Sequence, residues 1–311
     1  MRTPALLLPA ALAGVLLLVT ACDGPQRDER ASCAPSAVPV ATAPGGGAAG
    51  AAGSAGAEGA GDVEITAVST RPAHCSAPSF HVVFRVANHA REPLTYTITF
   101  GLTSGAGEAL GNVPHTVSAV PPGGTVRAEA ELSAPLTPRY TAQRVRVVKV
   151  RSVPADEVPA AAGACPSSGL RLTADAGDAA MGLRVVGLRL QNCSSRVRRV
   201  EGYPLVQLLD EEREPVTGVE VLHGSGGVAL VPGFDDPPRA VTLEPGQSAT
   251  AGLMWRNTVT DGTPVDAPYA RVRAVPGAPA VTVTPELDLG TTGKLGVSAW
   301  KADPATAAPA S

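Results

Sequence analysis

Between Ser79 and Ala87 the chain alternates: Phe80, Val82, Phe84 and Val86 take one phase, His81, Val83, Arg85 and Ala87 the other. A period of two sends successive side chains to opposite faces of an extended chain, so this stretch reads as a strand with one buried face. The pattern recurs. Leu94, Tyr96, Ile98 and Phe100 alternate with Thr95, Thr97 and Thr99, and Val126, Ala128, Ala130 and Leu132 alternate with Arg127, Glu129 and Glu131. Pro121-Pro122-Gly123-Gly124 is a strong turn signal between runs. From Arg144 to Arg151 the alternation slips between Val147 and Val148, which predicts a bulge. The cations of that run, Arg144, Arg146, Lys149 and Arg151, suit a solvated or edge-protecting face, or contact with an anionic wall polymer or lipid head groups.

Six or seven such runs fill residues 63–153 with no helical stretch. This unit resembles the small immunoglobulin-like modules of bacterial lipoproteins. A second series begins at Leu170-Arg171-Leu172. Its members include Leu183, Val185 and Gly187 set against Arg184 and Arg189, and Ala249, Ala251, Leu253 and Trp255 on one face. Eight to ten strands are expected there, with Asp210-Glu211-Glu212-Arg213-Glu214 as an acidic turn. The fold class that follows is all-β, with two immunoglobulin-like β-sandwich domains in tandem. Their expected bounds are residues 63–153 and 165–300, joined by an interdomain linker at 154–164 and followed by a disordered tail at 301–311. Aromatic residues make up only 3% of the chain, so Val and Leu must fill the cores.

The N-terminal segment constrains location. Met1 and Arg2 precede an apolar run from Ala5 to Val19, and Leu18-Val19-Thr20-Ala21-Cys22 resembles a bacterial lipobox. Residues 1–21 read as a lipoprotein signal peptide, because the run is short for a membrane span. The resemblance implies a diacylglyceryl group on Cys22 and a lipid-anchored protein outside the cytoplasmic membrane. Two or more acyl chains hold such a protein stably. Residues 22–62 are dominated by Ala, Gly, Pro and Ser and are expected to be a disordered tether. A formal net charge of −3 argues against a nucleic-acid partner. Lysine occurs only at Lys149, Lys294 and Lys301, which with abundant Ala, Gly, Pro and Val points to a GC-rich genome.

The second unit carries a more specific set of motifs: Asn192, Gly202-Tyr203-Pro204, Glu244-Pro245-Gly246, Trp255-Arg256-Asn257, Gly290-Thr291-Thr292-Gly293-Lys294-Leu295 and Trp300. In this order they resemble the domain-of-unknown-function family numbered four-two-three-two, found in actinobacterial secreted proteins and lipoproteins. That family implies no catalytic residues. Cys193 stands farther from Gly202-Tyr203-Pro204 than the second cysteine of many of its members. Apart from Cys22, the four cysteines allow three pairings. The favoured one joins Cys165 to Cys193 within the second domain and leaves Cys33 with Cys75. Trp255 and Trp300 are expected to pack rather than to serve as sugar platforms.

The sequence holds no Gly-x-Ser-x-Gly elbow, His-Glu-x-x-His or phosphate-binding glycine loop. The spacings of the cysteines do not form a zinc pattern. His223 with Asp235 and Asp236 is the only combination worth weighing as a metal or small-ligand site, against the simpler reading of two solvated loops. No cofactor is expected. The leading expectation is a non-enzymatic envelope lipoprotein that contacts an envelope protein or wall polymer. A small-molecule or metal receptor subunit is the alternative, and an unfamiliar hydrolase comes third.

Overall fold

The computed structural model describes residues 36–38, 61–71, 79–104, 107–133 and 142–306. The leader, Cys22, and the expected pair Cys33 and Cys75 lie outside the described residues. Among the described residues all regular structure is strand, and no helix is long and apolar enough to cross a membrane.

The first domain is built from β1 (Ser36–Val38), β2 (Val63–Arg71), β3 (Ser79–Ala87), β4 (Leu94–Ser104), β5 (Ala109–Val120), β6 (Thr125–Ser133) and β7 (Ala142–Pro154). One sheet runs β1-β2-β3-β6 and the other β5-β4-β7. The alternation read from the sequence does its work here. Phe80, Val82, Phe84 and Val86 from one sheet meet Leu94, Tyr96, Ile98 and Phe100 from the other in a single buried core. Phe84 and Phe100 cross edge to face with centroids 5.1 Å apart, a favourable geometry for two ring quadrupoles. Tyr96 keeps its hydroxyl satisfied by donating to the Ala87 carbonyl at 3.2 Å. Burial, assisted by the Asp62 carboxylate, pushes its pKa up to about 12.

β1 departs from the expected disordered tether. Ser36, Ala37 and Val38 pair antiparallel with Thr70, Ser69 and Val68, on the edge of the first sheet. That edge of β2 otherwise presents unpaired backbone donors and acceptors, which any extended segment can satisfy.

The second domain contains β8 (Leu170–Ala174), β9 (Asp178–Ala180), β10 (Leu183–Asn192), β11 (Arg198–Val200), β12 (Leu205–Leu209), β13 (Glu220–His223) and β14 (Val241–Leu243). It continues with β15 (Ser248–Arg256), β16 (Asp266–Ala267), β17 (Tyr269–Arg273), β18 (Ala280–Val283), β19 (Leu287–Asp288), β20 (Lys294–Val297) and β21 (Lys301–Ala302). A large sheet runs β13-β20-β15-β10-β8, with β21 on β15 and β9 on β10. The smaller sheets β12-β17-β18, β11-β14 and β16-β19 contribute to the same core. There are more strands than the eight to ten expected, because the loops contribute ladders of two to four residues that leave no periodicity to read.

Two expectations are corrected. In β10 the core face is Val186, Leu188, Leu190 and Asn192, not Leu183, Val185 and Gly187. Leu183, Val185, Val186 and Leu188 place apolar side chains in both phases, so alternation there is ambiguous. Contact settles it: Asp175 packs directly against Gly187 and its Oδ1 accepts that residue's N–H at 2.9 Å. The tail begins later than residue 301. β21 pairs with β15, Asp303 donates its N–H to the Ser248 carbonyl at 2.9 Å, and its carboxylate meets Arg189 at 3.1 Å.

Each sandwich is closed by the same device. Asn88 directly follows β3; its Nδ2 donates to the Glu92 and Val120 carbonyls at 2.8 and 2.9 Å, and its Oδ1 accepts the Ala90 N–H at 2.9 Å. Asn192 ends β10; its Nδ2 donates to the Arg196 and Leu243 carbonyls, both at 2.8 Å, and its Oδ1 accepts the Ser194 N–H at 3.1 Å. The offsets are the same, i+4 and i+2. The distant carbonyl in each case precedes a proline–glycine turn, Pro121-Pro122-Gly123-Gly124 or Glu244-Pro245-Gly246-Gln247. Both side chains are buried, as are their bonds to the Val120 and Leu243 carbonyls, so removing the amide strands one carbonyl away from water and loosens two local turn bonds.

Cys165 and Cys193 form a disulfide with Cα atoms 5.6 Å apart and a sequence separation of 28. Closing a loop of that size contributes about 3.6 kcal/mol in the chain-entropy account. Trp300 is buried and donates its indole N–H to the Ala274 carbonyl at 2.7 Å, while its backbone N–H reaches the Gly202 carbonyl at 2.9 Å. Trp255 is buried on the face shared by Ala249, Ala251 and Leu253, as expected.

Asn88→Ala and Asn192→Ala are each expected to lower the stability of their own domain by about 2–4 kcal/mol. Urea unfolding with per-domain hydrogen exchange checks this. Loss of protection in both domains from either change would contradict two independent clamps.

Candidate functional site

The polar side chains of the two domains converge where they meet, and the bulge in β7 arranges it. Thr99 pairs with Lys149 but Phe100 pairs with Val147, so Val148 is the extra residue. Strict alternation would send Lys149 and Arg151 into the core, opposite to Arg144 and Arg146. One inserted residue returns all four cations to the outer face of the β5-β4-β7 sheet. Gly101, opposite the bulge, leaves the room; a Cβ there would lie 2.6 Å from Val148 Cγ1.

Arg151 reaches across the junction. Its Nε and Nη2 donate to Glu286 Oε1 and Oε2, both at 2.7 Å, and its Nη1 donates to Glu211 at 2.8 Å. Lys149 meets Glu286 at 3.2 Å. Only 13% of the Arg151 side chain is exposed, and its guanidinium carbon lies 5.9 Å from the Tyr269 ring centre. A two-pronged, half-dry arginine–carboxylate pair of this kind is stronger and more directional than an exposed one. Burial pushes the Glu286 pKa up, but hydrogen bonds and charge from Arg151 and Lys149 outweigh it and hold the carboxyl below its ordinary range.

Around this pair the backbone of β7 docks directly. Ser152 donates its N–H to Tyr269 Oη at 3.1 Å, Arg213 donates to Ser152 Oγ, and Val153 packs with Leu209, Tyr269 and Val158. Glu286 and Arg213 both have positive φ, 54° and 67°. A non-glycine residue in that region carries strain that its surroundings must offset. Both residues send their side chains to the first domain, so the strained backbone sits at the contact.

The linker is pinned as well. Glu157 is buried; it accepts from Arg271 Nε at 2.8 Å and from Thr282 Oγ1 at 2.7 Å, while its own carbonyl accepts the Thr282 N–H at 2.8 Å. On one side of the linker Glu92, Asp156, Glu157, Gln207, Arg213 and Arg271 line an open cleft of about 390 Å³. Thr95, Thr97, Thr116, Val153, Val158 and Val283 are among the residues that line a second cleft, of about 420 Å³.

The sequence-predicted metal candidates do not form a ligand set. His223 stacks flat on Tyr203 at 3.9 Å, Asp235 accepts the Ser225 N–H at 2.6 Å, and Asp236 pairs with Lys301 at 2.9 Å. Each has its own partner, and among the described residues no group of three or more His, Cys, Asp or Glu is placed to hold a metal. Three of the motif residues make bonds that hold the fold together: Trp255 Nε1 and Asn257 Nδ2 donate to Asp288 at 2.9 and 3.0 Å, and Thr292 Oγ1 donates to the Leu289 carbonyl at 2.9 Å. Sequence reasoning missed the junction acids Glu157 and Glu286, which look like ordinary loop residues. It also missed Asn88, although Asn88 precedes its proline–glycine turn as Asn192 precedes its own.

The architecture is therefore that of a tandem β-sandwich protein with a polar, partly strained domain junction. Residues 165–301 match the family described as Domain of unknown function (DUF4232), so the C-terminal half of the chain resembles that family. The match begins at Cys165 and takes in Trp300. No curated protein matches the chain.

A depressed carboxyl pKa stabilises the fold above the unfolded value, about 4.3 for Glu, and that stability is lost as pH falls through the lower folded value. The junction is accordingly expected to weaken below about pH 4. Thermal unfolding followed from pH 6 to pH 3 should show Glu286→Gln with a lower melting temperature at pH 6 and a flatter acid slope than the parent. An unchanged slope would remove Glu286 from the account.

Proposed function

We propose that the protein is a non-enzymatic cell-envelope lipoprotein, anchored through lipid at Cys22 on the extracytoplasmic face of the membrane. It presents two β-sandwich domains to a partner, an envelope protein or wall polymer. The observation that carries this reading is the lipobox-like Leu18-Val19-Thr20-Ala21-Cys22 ahead of a domain closed by the Cys165–Cys193 disulfide. Structural disulfides are at home in oxidising compartments outside the cytosol. The pinned junction fits a presenting role, since it displays loops of both domains in one fixed relation.

A receptor for a small polar molecule is the second reading, favoured by the two clefts flanking Glu157. Their volumes fall in the range of small-ligand sites; both are open, the Arg271 cleft mainly polar and the other walled largely by Val153, Val158, Pro159 and Val283. Arg271→Ala would reduce binding of a cleft ligand without moving the membrane association.

Radiolabelled palmitate fed to the native host, followed by mass spectrometry of the mature N-terminus, tests the anchor. A diacylglyceryl-modified Cys22 as first residue is expected, with Cys22→Ala released into the medium. An unmodified N-terminus would overturn the reading.

A further inference from the structure

The four outward cations of β7 differ in what they face. Lys149 and Arg151 are matched by Glu286 and Glu211 of the second domain. Arg144 and Arg146 are exposed, beside Thr103 and Gly101 of β4, and among the described residues no acidic side chain pairs with either. On a chain of net charge −3 this is a local excess of positive charge. Glu108, in the turn between β4 and β5, and Glu131, opposite His81 near the same end of the other sheet, stand at this pole without engaging either arginine.

Strand pairing fixes which end of the domain this is. Leu94 pairs with Pro154 at the junction end, whereas Thr103 pairs with Arg144 at the opposite pole. In the other sheet Val63 pairs with Val86, next to Asn88 and the junction, and Arg71 pairs with Ser79 at the far pole. β1 runs antiparallel to β2, with Val38 opposite Val68 and Ser36 opposite Thr70. Traced toward the N-terminus, the chain therefore leaves the first domain at the pole that carries Arg144 and Arg146, away from the second domain. Because β1 is bound to β2, the reach available to the tether is the stretch from Cys22 to Ser36. At about 3.5 Å per residue it cannot exceed roughly 50 Å.

We infer that the pole of the first domain bearing Arg144 and Arg146 docks on the anionic phospholipid head groups of the membrane that holds the tether. This rests on the proposed anchor at Cys22. Two cations are too few to capture a free polymer, but they suffice to orient a domain already held near the surface. Each cation near an anionic membrane shifts the docked equilibrium by about five-fold, and two by about 30-fold. Docking this pole turns the second domain and its loops outward.

The test tethers residues 23–311, the mature chain without Cys22, by an N-terminal hexahistidine tag to nickel-chelating lipid, so that it does not depend on acylation. Vesicles of pure phosphatidylcholine are compared with vesicles containing one-third phosphatidylglycerol. Phenylglyoxal modification of arginines is followed by peptide mass spectrometry. On the anionic vesicles Arg144 and Arg146 are expected to react at least about five-fold more slowly, Arg199 should be unaffected, and 0.5 M salt should abolish the difference. Equal rates on the two vesicle types would overturn the inference while leaving the anchor intact. Equal protection on phosphatidylcholine by a soluble glycerol-phosphate polymer would overturn it too, and assign the face to a wall polymer.

Discussion

Arg151 is held by Glu286 on one side and Glu211 on the other, above the ring of Tyr269. Much of what this chain does as a two-domain object depends on that arrangement. An arginine this far out of water is costly unless its charge is met and its donors are used. Here the fork of Glu286 takes two donors and Glu211 a third. Removing one carboxylate would leave a half-buried cation, so the pair holds the domains in one relation more than it adds net stability. The sandwich cores do not need it; each is closed by its own apolar interior and its own asparagine clamp.

The path to that contact is a single inserted residue. Val148 breaks the alternation of β7, and the break puts Lys149 and Arg151 on the same face as Arg144 and Arg146. Gly101 makes space for it. A one-residue device in the first domain thereby decides the charge pattern of an entire sheet face: half is consumed by the second domain, and half is left at the far pole. The positive φ values of Glu286 and Arg213 belong to the same construction, because each places a long side chain across the gap at the expense of backbone comfort.

The recurrence of the asparagine clamp ties the two halves together architecturally. In both, an Asn at a strand end binds a carbonyl four residues on, an N–H two residues on, and the carbonyl just before a proline–glycine turn. The second half matches a described family, and the first half solves the same problem in the same way. In each case a strand leaves the sheet, and its buried backbone groups must be satisfied without water.

Local pattern by itself determined the all-β class, the bulge at Val147–Val148 and the core role of both tryptophans, and the Cys165–Cys193 pairing it favoured is the one that forms. These are short-range properties: alternation and turn chemistry are written within a few residues, and a motif set survives as a string. Tertiary structure alone decided the rest. It chose the buried phase of β10, where apolar side chains occupy both phases, and it turned residues 36–38 and 301–302 into edge strands. It gave His223, Asp235 and Asp236 each a different partner, which their nearness along the chain did not reveal. It also joined Arg151 to Glu286, which stand 135 residues apart. A carboxylate in a loop looks the same in a sequence whether it faces water or a guanidinium, because the partner is supplied by the fold of a different domain.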